Sequence, residues 1–438
     1  MKTTQTKWLI LVVSCLAIVL GSCKSTTSTD ETASSSNLTC VKVVTDASHD
    51  VYLGGHTATA LDSHAIIGET DIFLIKYTAD GTRAWSTLIG SSSSDYLQGM
   101  TITAANQVLI TGYTYGAITG NTSSGGVDML LVKTAADGSI IWEKQFGTAA
   151  DDYAYGVATD ATGDIYLAGH TYGSFAATLS GTKDFLLLKL DSSGNQVWSR
   201  QLSNDEDSSH TVVNGVYGID VKTDAAGNVY AAGFTTGQFA GNASSGKYDL
   251  FVVKYDGLGN LIWVRQLGSV GNDYLRGMQV NAAGDVYLTG FTDEALAGQT
   301  YLGEADLFLV KLGSDGTIAW IRQPGTVNSE YANGIALDSS GDVFLTGSTT
   351  GYLTGTSLGG SDLIMLKYGS TGTPAWTIQM GTAYSEAARA IAIDASGDVY
   401  ITGYTYGALD GNANPDLVYY SFLSRYNAAG VLNWTRAF

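Results

Sequence analysis

The stretch that decides the fold is 331–381, which reads YANGIALDSSGDVFLTGST at 331–349 and SDLIMLKYGSTGTPAWTIQMG at 361–381. Its pattern returns seven times between about residue 40 and the C-terminus. Each repeat has a Gly that closes its second segment, a Thr two residues later, and a Trp in its fourth segment. The glycines are Gly55, Gly112, Gly169, Gly233, Gly290, Gly347 and Gly403, and the tryptophans are Trp85, Trp142, Trp198, Trp263, Trp320, Trp376 and Trp434.

The spacing of these markers is regular. Each Trp precedes the Gly of the next repeat by 27 residues in five of six intervals, and by 35 residues between Trp198 and Gly233. A repeat of this length indicates stacked supersecondary units, because one unit cannot bury its own apolar faces without neighbours.

Four short strands are predicted inside each repeat. The second segment alternates apolar with small or polar residues, the third is almost entirely apolar, and the fourth carries the Trp. Tight turns are expected at Asp-x-x-Gly sequences such as 338–342 and at Asp-Gly pairs such as 315–316. Seven such units without a helical stretch predict an all-β, seven-bladed β-propeller of four-stranded antiparallel blades. The predicted blades are 40–94, 95–151, 152–210, 211–272, 273–329, 330–385 and 386–438.

Composition fits this architecture. A length of 438 residues suggests about three domains, yet the unbroken repeat argues for one ring. The 54 glycines, 3 prolines and 45% hydrophobic residues suit tight strand connections around a core. The net charge is −19, which opposes binding to a phosphate backbone, so no nucleic-acid partner is expected.

The N-terminus has the features of a targeting segment. Lys2 and Lys7 precede an apolar run from Trp8 to Leu20 that is short for a bilayer span. Leu20-Gly21-Ser22-Cys23 resembles a bacterial lipobox, which implies a signal peptide at 1–22 and an acyl-bearing Cys23; an ordinary signal peptide is the alternative. Acyl chains would hold the protein on a membrane. Because Lys24 rather than Asp follows Cys23, analogy with enteric lipoproteins favours the outer membrane of the bacterial cell envelope.

Residues 23–39, almost without apolar side chains after the Cys, predict a flexible tether to a propeller at 40–438. Of three cysteines, Cys15 leaves with the leader and Cys23 carries lipid. Cys40 is therefore expected to be a buried strand residue, with no intrachain disulfide.

The repeat unit G-[IVM]-x-x-D-x-x-G-[DN]-[VI]-Y-[LIA]-x-G-[HYF]-T…D-x-[FLI]-[LV]-x-K…G-x-x-x-W resembles the SBBP-type β-propeller repeat of bacterial exported and surface proteins. The resemblance covers nearly the whole chain after the tether. It implies a propeller, often outside the cytoplasm, and implies no shared reaction. Its recurrent positions are structural, so it assigns no catalytic residue.

Physical roles can be predicted for those positions. A Cβ at the Gly of Gly-x-Thr is expected to obstruct the departing chain or the neighbouring blade. Third-strand lysines such as Lys76 follow an Asp such as Asp71 by five residues, which predicts anchoring of both strand ends. In the seventh repeat Arg425 replaces the Lys and Tyr420 the Asp, so an irregular outer half is expected there.

If segment one is innermost, the loops after segments two and four share one face. That face holds the variable loops and is the predicted functional face, since binding residues concentrate in loops on rigid scaffolds. These loops are 58–70, 115–127, 172–183, 236–248, 293–305, 350–361 and 406–419.

Acidic residues precede the innermost strands at this face. One hypothesis is an acidic ring at the channel mouth that binds a hard cation such as calcium. The alternative is that each carboxylate caps backbone amides while the adjacent Tyr packs between blades. No other cofactor is expected. The residues are Asp95, Asp152, Asp273, Glu330 and Glu386.

Two further features of this face are candidates for binding. The eight-residue excess before Gly233 contains the acidic segment 203–210, which is either a partner loop or a neutral solvated insertion; its candidate residues are Asp205, Glu206, Asp207 and His210. Tyr115, Tyr172 and Tyr406 follow Gly-x-Thr and either stack on sugar rings or cover blade edges. His56 and His170 are expected to be packing residues, and the sequence has no trusted metal-ligand spacing, nucleophile elbow or phosphate loop.

The sequence therefore predicts a lipid-anchored envelope module that binds an unknown protein or carbohydrate without catalysis. A propeller enzyme, a hydrolase, lyase or dehydrogenase with its site at the channel mouth, is the alternative. A polar mouth with a strongly displaced pKa would favour the enzyme, and a shallow tyrosine-rich face would favour binding.

Overall fold

The structure, a computed structural model, describes residues 38–179, 182–203, 215–239, 241–355, 358–409 and 419–438. In these ranges the chain forms strands and no α-helix. The strands build seven four-stranded antiparallel sheets, each from one continuous segment and in chain order from the channel outward. The protein is an all-β, seven-bladed β-propeller, as the repeat predicts.

Each blade contributes one strand to each of four concentric positions. The inner strands are Leu38–Thr45 (β1), Asp95–Ile102 (β5), Asp152–Thr159 (β9), Val216–Thr223 (β13), Asp273–Val280 (β17), Glu330–Leu337 (β21) and Glu386–Ile393 (β25). The second strands are Val51–Thr57 (β2), Val108–Thr114 (β6), Ile165–Thr171 (β10), Val229–Thr235 (β14), Val286–Thr292 (β18), Val343–Thr349 (β22) and Val399–Thr405 (β26).

The third strands are Asp71–Tyr77 (β3), Asp128–Thr134 (β7), Asp184–Leu190 (β11), Asp249–Tyr255 (β15), Asp306–Leu312 (β19), Asp362–Tyr368 (β23) and Tyr420–Tyr426 (β27). The outer strands are Arg83–Ile89 (β4), Ile140–Phe146 (β8), Gln196–Leu202 (β12), Leu261–Leu267 (β16), Ile318–Arg322 (β20), Pro374–Met380 (β24) and Leu432–Ala437 (β28).

The ring closes between the first and last blades. Every inner strand contacts the inner strands of its two neighbours, including β1 with β25. At this junction the Ser421 hydroxyl donates to the Leu38 carbonyl at 3.0 Å, and the Tyr77 and Phe438 rings stack with centroids 6.2 Å apart. Buried side chains of both blades form one core cluster there. Segment one is thus innermost, as predicted.

Two sequence expectations about the ends of the propeller are wrong. The first strand begins at Leu38, inside the predicted tether, because Leu38 pairs with Thr57 and is buried. The outer half of blade 7 is regular, since β27 pairs with β26 along its full length and with β28. Arg425 replaces the third-strand Lys there and binds Asp398. Cys40 is buried in β1, as expected.

The glycine of Gly-x-Thr is required for a reason that the sequence does not reveal. Each inner strand has a β-bulge opposite the second strand, as between Leu275 and Gly277. A Cβ at Gly290 would overlap the carbonyl oxygen of Tyr274, on the paired inner strand of the same blade. The obstruction therefore comes from the bulged partner strand, and not from the departing chain or the next blade. The other six glycines meet the same carbonyl position.

Ion pairs occupy the face opposite the long loops. In four blades the third-strand lysine reaches an acid of the turn between the first two strands and lies over the ring of the second strand's second residue. For example, Lys76 is 2.9 Å from Asp50 and 4.9 Å from the Tyr52 ring centroid. The same arrangement joins Lys189 to Asp164, Lys311 to Asp285 and Lys367 to Asp342. These contacts anchor the third strands of blades 1, 3, 5 and 6, as predicted, whereas Lys133 and Lys254 donate to carbonyls of the next blade.

The outer-strand tryptophans fasten each blade to the next. Each indole packs against the glycine turn that joins the third and outer strands of the following blade, as Trp85 does against Gly138. The Trp85 indole N–H donates to Ala136 O at 3.2 Å, and Trp263 repeats this bond with Ser314. Trp434 packs against Gly81, so the same contact also closes the ring.

The Gly290→Ala variant is expected to lose about 3 kcal/mol of unfolding free energy, or to fail to fold, because the bulged partner strand must move. Urea unfolding measures the effect. Gly369→Ala is the matched control: its nearest neighbours would be 3.8 Å from the new Cβ, so it should stay within about 0.5 kcal/mol of wild type. Equal stability of the two variants would contradict the role assigned to the bulge.

Candidate functional site

The loops after the second and outer strands lie on one face and pair with each other. Isolated parallel bridges join Thr70 to Ser94 and Tyr248 to Asn272, and the backbone N–H of Asp95 donates to Thr70 O at 2.7 Å. Equivalent bridges occur in three further blades, at Lys183–Gly215, Ala305–Ser329 and Ser361–Ser385. The long loops are therefore held against the connections between blades, close to the channel mouth.

In five of the seven blades a glutamine after the outer-strand Trp holds the long loop in place. The Gln266 amide N–H donates to Asp249 at 2.8 Å and to Gly237 O at 2.9 Å, while its oxygen accepts from Phe239 N–H. This glutamine recurs three residues after the Trp, so the repeat spacing contained the signal, although sequence analysis gave it no role. The equivalent residues are Gln145, Gln201, Gln323 and Gln379.

The acids of the predicted ring are fully buried and cap the backbone. Asp273 accepts hydrogen bonds from Ser269 N at 2.6 Å and from the Ser269 hydroxyl at 3.1 Å. Glu386 accepts from Thr382 N at 2.7 Å and from the hydroxyls of Thr382 and Thr405. Asp95, Asp152 and Glu330 make the same contacts with Ser91, Thr148 and Thr326. The geometry is that of the capping alternative, and calcium binding stays a prediction.

A second buried carboxylate lies next to each of these caps. At the junction of blades 4 and 5, a Cβ on Gly268 would touch both Asp249 and Asp273. Burial raises the pKa of Asp273 to about 6, hydrogen bonds from Thr292 and Ser269 oppose the rise, and the Asp249 charge adds to it. Asp95, Asp152 and Glu330 have pKa values raised in the same direction, chiefly by burial.

A series of aromatic rings links neighbouring blades near the channel mouth. They come alternately from the second residue of an inner strand and from the middle residue of Gly-x-Thr, and neighbouring centroids lie 4.7 to 5.6 Å apart. We call this series the aromatic belt: His56, Tyr96, Tyr113, Tyr153, His170, Tyr217, Phe234, Tyr274, Phe291 and Tyr331. It passes from blade 1 through blade 6 without a break.

The aromatic belt is interrupted between blades 6 and 1. Its positions there hold Ser348, Ala387 and Thr39, which we call the belt gap. Beside the gap, Tyr404 stacks on Tyr419 with centroids 5.0 Å apart. One sector of the mouth therefore has fewer rings than the rest.

The bulge of each inner strand directs one further residue toward the channel. The bulge residue is half-buried in all seven blades, whereas the residue before it is buried. These residues are Val41, Gln98, Tyr155, Ile219, Arg276, Asn333 and Arg389. The Arg276 guanidinium lies 5.3 Å from the Phe291 ring centroid, and Arg389 lies 5.2 Å from that of Tyr404. The mouth thus carries cations, which sequence analysis missed because neither Arg recurs in the repeat.

The two histidines of the aromatic belt are packing residues, as expected. His56 packs edge-on against Tyr96, and His170 stacks on Tyr155. Burial lowers the pKa of His56 to about 3, and the Arg389 charge adds to this effect. Burial also lowers the pKa of His170 well below its usual value, so both imidazoles are neutral.

A charge cluster crosses the channel below the bulge residues. Lys42 of blade 1 and Asp220 of blade 4 occupy the position where the other blades have Gly or Ala. Burial lowers the pKa of Lys42, while attraction by Asp220 opposes the shift. Asp220 also binds Lys222 and accepts from Met278 N–H. Charged side chains therefore face one another in the channel at this level.

The predicted face aromatics differ in exposure. Tyr115 is 51% exposed and Tyr172 is 38% exposed, and both pack edge-on against rings of the aromatic belt. Tyr406 is half-buried against Tyr404 and Tyr419. The predicted partner loop with Asp205, Glu206, Asp207 and His210 lies outside the described residues, as does Cys23.

Fold and mouth together define a β-propeller with an aromatic, cationic channel mouth. Residues 141–176 and 319–353 match the SBBP family, described as a β-propeller repeat. The chain carries SBBP-type β-propeller repeats, which confirms the resemblance drawn from the sequence.

Curated relatives are distant. An uncharacterised WD repeat-containing protein of Acanthamoeba polyphaga mimivirus is 20% identical over 76% of this chain. Regulatory protein FlaEY of Caulobacter vibrioides is 25% identical over 31% of the chain. The chain spans 32% and 16% of the lengths of these two proteins.

Solved structures show the same fold at low identity. The WD40 domain of Neurospora crassa Pan2 has a TM-score of 0.50 and 10% identity, covering 83% of this chain and 86% of that domain. Polysaccharide lyase Uly1 has a TM-score of 0.50 and 11% identity over 92% of both chains. A puromycin hydrolase has a TM-score of 0.51 and 9% identity, covering 93% of this chain and 55% of its own. A WD40 domain and two enzymes thus share the fold.

Two features are absent from the described ranges. No helix there has the length and apolar character needed to cross a membrane. Within the same ranges, no three His, Cys, Asp or Glu side chains converge as metal ligands.

The pH dependence of stability provides a test of the buried acid pairs. In the folded protein the pKa of Asp273 lies above its ordinary value of 3.8, so folding favours the protonated carboxyl. Its contribution to the free energy of unfolding is therefore complete below pH 4 and is lost as pH rises through 6. Asp273→Asn should reduce this loss by about 2 kcal/mol, measured by urea unfolding from pH 4 to 7.5. The exposed-turn variant Asp80→Asn should keep the wild-type loss over this range. An Asp273→Asn profile parallel to wild type would contradict the assignment.

Proposed function

We propose that this protein is a lipid-anchored binding module of the bacterial cell envelope, which takes its ligand on the aromatic belt. The observation that carries the proposal is the belt itself, ten rings in contact around one mouth, with exposed Tyr115 and Tyr172 beside it. Aromatic side chains provide large contact area and keep a polar edge, which suits a binding surface. The lipobox-like segment ending at Cys23 supports the anchor and the outer-membrane location.

Binding is favoured over catalysis by the placement of the titratable groups. The carboxylates and imidazoles with displaced pKa values, such as Asp273 and His170, are buried and engaged with backbone amides or aromatic rings. The half-buried groups that remain at the mouth are mainly tyrosines and arginines, which bind and orient more readily than they exchange protons at neutral pH. An extracytoplasmic propeller enzyme with its site at this mouth is the alternative, since the fold serves enzymes elsewhere.

The test compares the two faces of the full-length chain, purified in detergent and immobilised. Retention of separated envelope fractions, namely proteins, peptidoglycan and polysaccharide, should fall about tenfold in the Tyr115→Ala/Tyr172→Ala variant, because exposed aromatics dominate such interfaces. Leu258→Ser, at a 77% exposed turn residue of the opposite face, should retain the same fraction as wild type. Equal retention by both variants, or chemical change of the retained fraction, would overturn the proposal.

A further inference from the structure

Arg389 is a guanidinium at the channel mouth, and the described part of the chain gives it no anionic partner. It is a bulge residue of β25, half-buried, and lies 5.2 Å and 6.0 Å from the ring centroids of Tyr404 and Tyr419. Among the residues that the structure describes, none forms a salt bridge with it or accepts a hydrogen bond from it. Arginines elsewhere are engaged: Arg322 donates to Gly372 O, and Arg425 binds Asp398. A guanidinium carries five N–H donors in a fork that matches a carboxylate.

The charges around Arg389 favour an anion. His56, the nearest titratable neighbour across the belt gap, is neutral because burial and Arg389 lower its pKa to about 3. Glu386, on the same strand, is buried and bound by Thr382 and Thr405. The other cations at the mouth are Arg276 over Phe291 and Lys183, whose ammonium lies 3.4 Å from the Tyr217 ring centroid. The charge that favours an anion is therefore that of Arg389 itself, because acids such as Asp151 lie near the tyrosines of other blades.

We infer that the belt gap binds an acidic saccharide, with the carboxylate of one sugar on Arg389 and sugar faces against Tyr331 and Tyr404. This inference rests on the proposed function and names its ligand class. At the ten belt positions, the three gap positions and Tyr404, the chain has aromatic residues, Ser, Ala or Thr, and no branched aliphatic residue. Peptide-binding grooves use apolar anchor pockets, whereas half-exposed tyrosines offer flat faces and hydroxyl edges that match a sugar ring.

The probes are hexasaccharides of galacturonate, of mannuronate and of hyaluronan, with neutral mannohexaose and acidic hexaglutamate as comparators. Calorimetric titration of the full-length chain in detergent should show binding of at least one uronate oligomer and weaker binding of mannohexaose and hexaglutamate. Arg389→Gln should weaken that binding about tenfold to a hundredfold, because the charge-assisted fork is lost. Arg389→Lys should recover only part of the affinity, and added salt should weaken wild-type binding more than Arg389→Gln binding.

Lys144→Gln, the same loss of charge on an outer strand, is the matched control and should bind as wild type. Thermal unfolding of Arg389→Gln should match wild type, which separates loss of binding from loss of fold. Three results would overturn the inference: no uronate oligomer binds, Arg389→Gln binds equally well, or hexaglutamate binds more tightly than every saccharide. If envelope material is still retained through Tyr115 and Tyr172 in any of these cases, the proposed function stands and the ligand class is wrong.

Discussion

The structure depends on the burial of two apolar faces in every blade. The third strand is buried almost throughout, because its side chains point alternately to the blades on either side, as in Asp71–Tyr77. A blade alone would expose both faces to water, and a row of blades would leave two faces open at its ends. Closing the row through β1 and β25 removes those ends. Since each blade is one continuous segment, side-chain packing of Tyr77 on Phe438 and Trp434 on Gly81 performs the closure without strand exchange.

Repetition explains why the fold could be read from the sequence. The period, the strand order and the turns follow from residues that recur in every blade, such as the Gly of Gly-x-Thr and the outer-strand Trp. The physical role of the Gly could not be predicted, because it depends on a β-bulge in the paired inner strand. The bulge position has no fixed residue type, so the sequence does not reveal it. For Asp273 the residue pattern is the same whether the carboxylate lines a mouth or caps Ser269 N–H. Only the path of the loop before the strand decides between these arrangements.

The distribution of charge explains how an acidic chain can present arginines at its channel mouth. Many of its acids are engaged locally: in the turns between the first two strands, the first acid caps the turn, as Asp46 does, and the last binds the third-strand lysine, as Asp50 binds Lys76. Others cap loops beside the channel, as Glu386 does. The bulge arginines pack over aromatic rings. The net charge therefore influences how fast a charged ligand approaches the protein from a distance. The local arrangement of Arg276 and Arg389 determines which ligand can bind at the mouth.

Seven identical blades would offer the same contacts to a ligand in every direction. Binding specificity therefore depends on residues that depart from the repeat. Two departures lie in the channel and act together. Lys42 and Asp220 replace small residues and place opposite charges in the lower channel. Ser348, Ala387 and Thr39 replace aromatic residues in the sector of Tyr404, which Arg389 overlies. Charged side chains below the mouth and one sector with fewer rings favour a chain lying across the rim over one threaded through the ring, which is the geometry a polymer requires when it is bound at one unit along its length.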